Sequence, residues 1–296
     1  MIDRRVFTAG LLPLIAGIAL VAKTRPTFAA GSLQSQLDDQ LPVLEKKTGG
    51  RLGVTIIDTA DGTRAGYRAD ERFPMCSTFK ALAAAAVLAR VDAGKEQLDR
   101  IIRYAKSDLV TYSPTTEKHV ADGMTLAALC EATITLSDNT AGNLLLANIG
   151  GPKGLTAYVR TLGDTMTRLD RNEPTLNEAK PGDPRDTTTP AAMAATLQRL
   201  VLGDSLSPAS RQQLADWLVA TKTGDERLRA GVPTGWRVGD KTGTGANNTA
   251  NDIGVLWPPN RAPIVVTAYL TGARAAMPVR NAAIAEVGRL AAGVVG

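Results

Sequence analysis

Glu173-Pro174-Thr175-Leu176-Asn177 sits inside a stretch, Arg168 to Thr187, that carries Pro174, Pro181, Gly182 and Pro184 and few core residues. Breakers at that density leave no room for an ordinary helix or strand. A loop of this length inside a compact domain is usually functional. On both sides the pattern turns helical. Apolar residues recur at helical spacing over 81–93, 125–136, 140–149 and 151–162 before the loop, and over 189–202 and 207–220 after it. Further out, both flanks turn to strands. Arg51 to Asp58 and Arg64 to Ala69 are separated by the turn Ala60-Asp61-Gly62-Thr63 and read as a hairpin; segments 236–244, 252–257 and 263–271 are β-rich. Amphipathic helices at 33–47 and 279–294 close the two ends. Strands from both ends of the chain with helices between them predict one sheet layer built from both termini and one inserted helical region, with the site where the two meet.

The first thirty residues stand apart from this pattern. Arg4-Arg5, the apolar run Leu11 to Ala22 and the small residues after Phe28 form the three regions of an export signal. Pro13 and Gly17 make the run too short and too broken for a spanning helix. Asp3-Arg4-Arg5-Val6-Phe7 also fits a twin-arginine signal, and a Sec signal fits equally. The expectation is an exported protein, periplasmic or secreted, with no membrane anchor once residues 1–30 are removed. The mature chain then carries 30 basic and 28 acidic side chains, a net charge of +2 against +5 for the whole. No Lys/Arg cluster remains to suggest nucleic acid.

The chain has one histidine, His119, and two cysteines, Cys76 and Cys130. A Ser-His-Asp triad would have to use His119, which reads as a surface or packing residue. A zinc site would need more ligands than these, so no metal or cofactor is expected. Both cysteines read as buried free thiols, the commonest state of that residue type. Any base for a serine nucleophile must be a lysine or a carboxylate.

Three short motifs supply candidates. Ser77-Thr78-Phe79-Lys80 opens the alanine-rich helix, and its Ser and Lys, three apart, share one face. The helix N-terminus offers N–H groups to developing negative charge. Ser137-Asp138-Asn139 precedes a helix and serves equally well as an N-cap. Lys-Thr-Gly occurs three times, at Lys47, Lys222 and Lys241. The first two follow helical patterns and read as helix stops; only Lys241-Thr242-Gly243 continues a β-like segment.

Taken together, these motifs have an order and spacing: 60 residues from Ser77 to Ser137, 36 to Glu173 and 68 to Lys241. On these residues the mature chain resembles the class A serine β-lactamases, which combine Ser-x-x-Lys, Ser-Asp-Asn and Lys-Thr-Gly with Glu-x-x-Leu-Asn. The resemblance implies an α/β architecture of the α+β type: a five-stranded antiparallel sheet flanked by terminal helices, with an all-helical domain inserted between the second and third strands. Residues 31–75 and 221–296 would form the α/β domain, and 76–220 the helical one with an Ω-loop at about 168–187.

It also implies roles. Ser77 would be the nucleophile and Lys80 would help deprotonate it. Ser137 would pass a proton to the leaving nitrogen. Glu173 and Asn177 would hold the deacylating water. Asn139 would bind the acylamide side chain, and the backbone N–H groups of Ser77 and Thr244 would form the oxyanion hole. Lys241, Thr242 and Gly243 would line the carboxylate subsite, aided by Arg227, because Ala250 and Asn281 stand where many relatives have the arginine. Tyr112 would sit at the cleft mouth, and Arg171 and Asp186 would close the Ω-loop with an ion pair. Gly245 stands where carbapenem-hydrolysing relatives often carry a cysteine facing Cys76. Small-molecule β-lactams are the implied substrates and a monomer the implied state. A DD-peptidase would share the first three motifs but has no need of Glu173.

Overall fold

The computed structural model of the chain describes Met1 and residues 30–295. The expected export signal, residues 1–30, lies outside the described residues except for Met1 and Ala30. Five strands, β1 (Arg51–Asp58), β2 (Arg64–Tyr67), β3 (Arg237–Gly245), β4 (Thr249–Trp257) and β5 (Ile264–Thr271), form one antiparallel sheet in the order β2-β1-β5-β4-β3. Nine helices accompany them among the described residues: α1 (Ala30–Thr48), α2 (Phe79–Asp92), α3 (Leu126–Thr135), α4 (Asn139–Asn148), α5 (Gly151–Thr161), α6 (Pro190–Val201), α7 (Pro208–Val219), the single turn α8 (Leu228–Gly231) and α9 (Met277–Ala292). This is the α+β architecture expected, with the helices α2 to α8 entering between β2 and β3. None of the described helices is long and apolar enough to cross a membrane.

The sheet is buried on both faces, and the two-residue period of a strand sorts its side chains between them. Leu52, Val54 and Ile56 of β1, with Val266, Ala268 and Leu270 of β5, pack against Leu37 and Leu41 of α1 and Ile284 and Val287 of α9. The alternate residues, Ile57, Ile253, Val255, Val265 and Tyr269, join the core of the helical region through Phe73, Phe79 and Leu82. The helical region therefore shares its core with one face of the sheet. Gly53 lies on that face, where a Cβ would enter the ring of Phe73; only glycine lets the two pack.

Two-residue ribbons, 73–74 with 187–188 and 101–102 with 124–125, interrupt the helical region. They are too short to leave a periodic trace. The first fastens the base of the 168–187 loop to the entry of α2. Both cysteines are buried and unpaired, and His119 is exposed at the end of a short 3-10 turn.

Candidate active site

Cys76–Thr78 form one 3-10 turn that runs directly into α2, so Ser77 sits at the mouth of the helix with its side chain beside that of Lys80. Asn251 of β4 steadies this turn from below, donating to Pro74 O at 2.9 Å and Met75 O at 3.1 Å. The Lys80 ammonium, fully buried, donates to Ser77 Oγ (3.0 Å), Ser137 O (2.8 Å) and Asn139 Oδ1 (2.6 Å), and pairs with Glu173 Oε1 at 3.0 Å. Burial lowers its pKa, and the Glu173 carboxylate opposes that shift. Ser77 Oγ donates to the same Glu173 oxygen at 3.1 Å. One hydroxyl thus has within hydrogen-bond reach a carboxylate that can take its proton and a lysine that can do so once it has lost its own.

Ser137 lies between two lysines. Its Oγ accepts from Lys241 Nζ at 3.0 Å and from Lys80 Nζ at 3.3 Å, which leaves its own proton free for a third partner. The middle residue of the motif, Asp138, turns away from the cleft. It caps α4, accepting from Ala141 N at 2.9 Å, and also takes the N–H groups of Thr115 and Thr116, each at 2.9 Å. Capping and site-building both hold for this tripeptide, on different residues.

The Ω-loop brings Glu173 in from the opposite side. Arg171 Nε meets Asp186 at 2.5 Å, as expected. Asp186 is buried and also accepts the N–H groups of Asp170 (2.8 Å) and Arg171 (2.9 Å). Asn177 Nδ2 donates to Glu173 Oε2. Asn143, a residue that sequence reasoning missed, clamps the Glu173 backbone from both sides: its Oδ1 accepts from Glu173 N at 2.8 Å and its Nδ2 donates to Glu173 O at 2.9 Å. A signal for it existed, since Asn143 stands four residues after Asn139 on α4 and shares its face.

The cleft above these groups encloses about 320 Å3 and is lined by Ser77, Tyr112, Ser137, Asn139, Asn177, Thr223, Arg227, Thr242 and Thr244. Lys80, Glu173, Lys241 and Gly243 lie beneath it, buried. Tyr112, 57% exposed, stands at the mouth. Gly245 ends β3 against the nucleophile turn; a Cβ there would come within 2.6 Å of Cys76 Sγ and 2.9 Å of Asn177 O.

One expectation needs correction. The Lys-Thr-Gly copy at Lys222 is more than a helix stop: α7 ends at Val219, and Thr223 sits in the cleft wall with its hydroxyl 2.6 Å from that of Thr242. The helical spacing before it concealed a site residue. Arg227 lines the cleft as well, with most of its fork engaged by the protein. Its guanidinium is buried and donates to Asn281 Oδ1 (3.0 Å), Gly243 O (2.9 Å), Asn251 O (2.7 Å) and Thr244 Oγ1 (2.8 Å). It brings charge to the cleft and fixes Thr244, while most of its N–H groups are already used.

Lys241 is fully buried at the cleft floor, and burial, with Lys80 adding like-charge repulsion, pushes its pKa down to about 7. Its positive charge is therefore lost as pH rises through neutrality. kcat/KM for a carboxylate-bearing substrate should fall about tenfold between roughly pH 6 and pH 9, an alkaline limb of the kind that reports a free-enzyme ionisation. In Lys241→Arg the limb should vanish, because arginine stays charged; a limb that persists in the variant would assign it to another group. The sign for stability is opposite. The unfolded chain holds this proton more tightly than the folded one, so this lysine's contribution to stability rises with pH from about 7 toward the ordinary lysine value near 10.4.

Comparison with known proteins agrees with this geometry. Residues 33–295 match the family model described as the β-lactamase enzyme family. The chain is 51% identical over 287 residues to β-lactamase L2 of Stenotrophomonas maltophilia, covering 96% of this chain and 93% of the relative. It is 54% identical over 247 residues to β-lactamase CTX-M-97 of Escherichia coli, covering 82% and 85%. Among solved structures, an ancestral class A β-lactamase superposes with a TM-score of 0.85 at 71% identity, covering 87% of this chain and 98% of that one. A class A β-lactamase described as putative, PenP of Rhodopseudomonas palustris, superposes with a TM-score of 0.86 at 66% identity, covering 87% and 99%. With Ser77, Lys80, Glu173 and Lys241 gathered at one cleft, and these relatives across nearly its whole described length, the chain belongs to the class A branch of the β-lactamase family.

Proposed function

We propose that the protein hydrolyses the β-lactam ring of penicillins and cephalosporins, and so confers resistance to them, through an acyl-enzyme at Ser77 cleared by water that Glu173 activates. The observation that carries this is the position of Glu173 Oε1, 3.1 Å from Ser77 Oγ and 3.0 Å from Lys80 Nζ. A carboxylate at that point can take a proton from a water attacking the same acyl carbon. Asn177 supports the reading: its Oδ1 is buried and has no hydrogen-bond partner among the described residues, so it can accept from that water.

The remaining roles follow from the cleft. Ser77 attacks the ring carbonyl, its proton passing to Glu173 or to Lys80 in the neutral amine form, Lys80 having first given a proton to Glu173. The backbone N–H groups of Ser77 and Thr244 hold the developing oxyanion. Ser137, fed by two lysines, returns a proton to the ring nitrogen as its bond to the carbonyl breaks. Lys241, Thr242 and Gly243 form the carboxylate subsite with Thr223 and Thr244, and Arg227 supports it from below. Asn139 receives the acylamide group and Tyr112 shields the open side. The protein works as an exported monomer, its signal occupying residues 1–30, with 31–75 and 221–296 as the sheet domain and 76–220 as the helical one.

Purified mature protein should turn over a chromogenic cephalosporin many times per Ser77, followed by absorbance. Acylation that stops at one equivalent would instead identify a peptidase or a penicillin sensor.

A further inference from the structure

Against the Ω-loop, lined by neither Ser77 nor Glu173, lies a second cavity of about 430 Å3, larger than the cleft at Ser77. Its charge is lopsided. Arg51, Arg72, Arg171, Lys180 and Arg185 line it, against the single carboxylate of Asp183. Three of the five cations have partners: Arg51 pairs with Glu71 at 2.9 Å, Arg171 with Asp186 at 2.5 Å and Arg185 with Asp183 at 2.7 Å. Arg72 and Lys180 have no carboxylate within 4.0 Å among the described residues. Arg72 donates only to neutral oxygens, Met166 O at 2.8 Å and Thr187 Oγ1 at 3.1 Å. One of these two cations belongs to the body of the protein and the other to the loop, and they line the same space.

The loop itself is fastened unevenly. Its near limb is tied to the body through Asn143 and through Asn177 O, which accepts from Ala246 N at 2.9 Å. Its far limb is not. Among the described residues, no hydrogen bond joins residues 178–184 to anything outside the loop; Asp183 N donates to Lys180 O, and Glu178 and Asp183 take arginines of the loop itself. The far limb thus spans the cavity, with like charge on both sides and no direct bond across it.

We propose that this cavity binds a small dianion of the phosphate or dicarboxylate class, whose two charges bridge Lys180 on the loop to Arg72 on the body and fasten the far limb. A doubly charged ligand suits the two uncompensated cations. Charge-assisted hydrogen bonds to both would replace the repulsion between them.

The test is a titration of the mature protein with inorganic phosphate, and in a parallel arm with succinate, at constant ionic strength, with sodium chloride as control. Backbone amide shifts are read by NMR at Gly182 and Asp183 behind the loop and at Ser137 and Thr242 in the cleft. The proposal expects saturable shifts at Gly182 and Asp183 with at least one dianion and none with chloride. It also expects at least about tenfold slower hydrogen exchange at Lys180 and Gly182 when the site is filled, since fastening removes local opening. Lys180→Glu, on an exposed side chain, should weaken binding by tenfold or more; Arg72→Gln should do the same from the other wall. Shifts confined to Ser137 and Thr242 would place the anion in the catalytic cleft and overturn the proposal. So would unchanged affinity in Lys180→Glu, or an equal response to chloride. The arm that saturates at the lower concentration identifies the ligand as phosphate-like or dicarboxylate-like.

Discussion

Glu173→Gln is expected to cut steady-state turnover of a penicillin by about a thousandfold, within the range that general-base catalysis supplies. Glutamine keeps the shape: its oxygen can still accept from Lys80, and its NH2 can donate to the unpartnered Asn177 Oδ1 once that amide turns over, so the fold should hold; what it lacks is the capacity to take a proton. Ring opening needs a base for Ser77 Oγ, and Lys80 lies 3.0 Å from that atom on the side of α2. For clearance of an acyl group on Ser77, Glu173 is the one carboxylate hydrogen-bonded to that side chain among the described residues. The variant should therefore form its covalent penicilloyl adduct and hold it, one per protein, visible by intact mass. The rate at which the adduct appears then separates the two candidate bases: a burst close to wild type assigns acylation to Lys80, and a slowed one assigns it to Glu173. Turnover within a few-fold of wild type would remove Glu173 from the mechanism.

The largest loss of stability should come from Asp138→Ala. This carboxylate is fully buried and accepts from Thr115 N, Thr116 N, Thr116 Oγ1 and Ala141 N, all at 2.9 Å. Alanine would leave three backbone N–H groups and a hydroxyl without acceptors, at about 1–3 kcal/mol for each that water cannot reach. The segment around Thr115 would shift to recover some of them, which leaves a net loss of roughly 4 kcal/mol, near the upper end for single substitutions. At about 2–4 °C per kcal/mol for a protein of this size, Tm should fall by roughly 10 °C. Asp138→Asn should recover less than half, because its amide nitrogen would face N–H donors. Activity should fall with stability, since Ser137 and Asn139 hang from the same turn. A Tm shift under about 2 °C would show that the carboxylate is not what fixes this turn.

Much of this architecture could be read from residue order, for a simple reason. Strand β1 and the helices α2 to α7 each carry their own period, and their bounds fall within three residues of those the pattern implies. What escaped was whatever depends on two distant segments meeting. Thr223 looked like part of a helix stop because its partner, Thr242, lies on another element. Asn143 looked like an ordinary helix residue until the Ω-loop backbone arrived beside it. Arg227 lines the cleft, yet its occupied N–H groups are visible only once β3, β4 and Asn281 surround it. Ser137-Asp138-Asn139 admitted two readings because both are physically sound, and the helix start divides them among its three residues.

The pairing of β1 with β5 has a consequence for biosynthesis. Arg51 faces Thr271 and Asp58 faces Ile264, so the centre of the sheet joins residues more than two hundred positions apart. Contacts this distant form late, because the intervening chain must first be closed into a loop. A ribosome-bound chain that has delivered Ser77, Ser137 and Glu173 but not yet residues 264–271 has every proton-transfer group and no platform to hold them. Catalytic competence should therefore appear abruptly, near the end of synthesis, rather than grow with chain length. A nascent polypeptide stalled before β5 should be inert and protease-sensitive, while one stalled only after α9 has cleared the tunnel should be fully active.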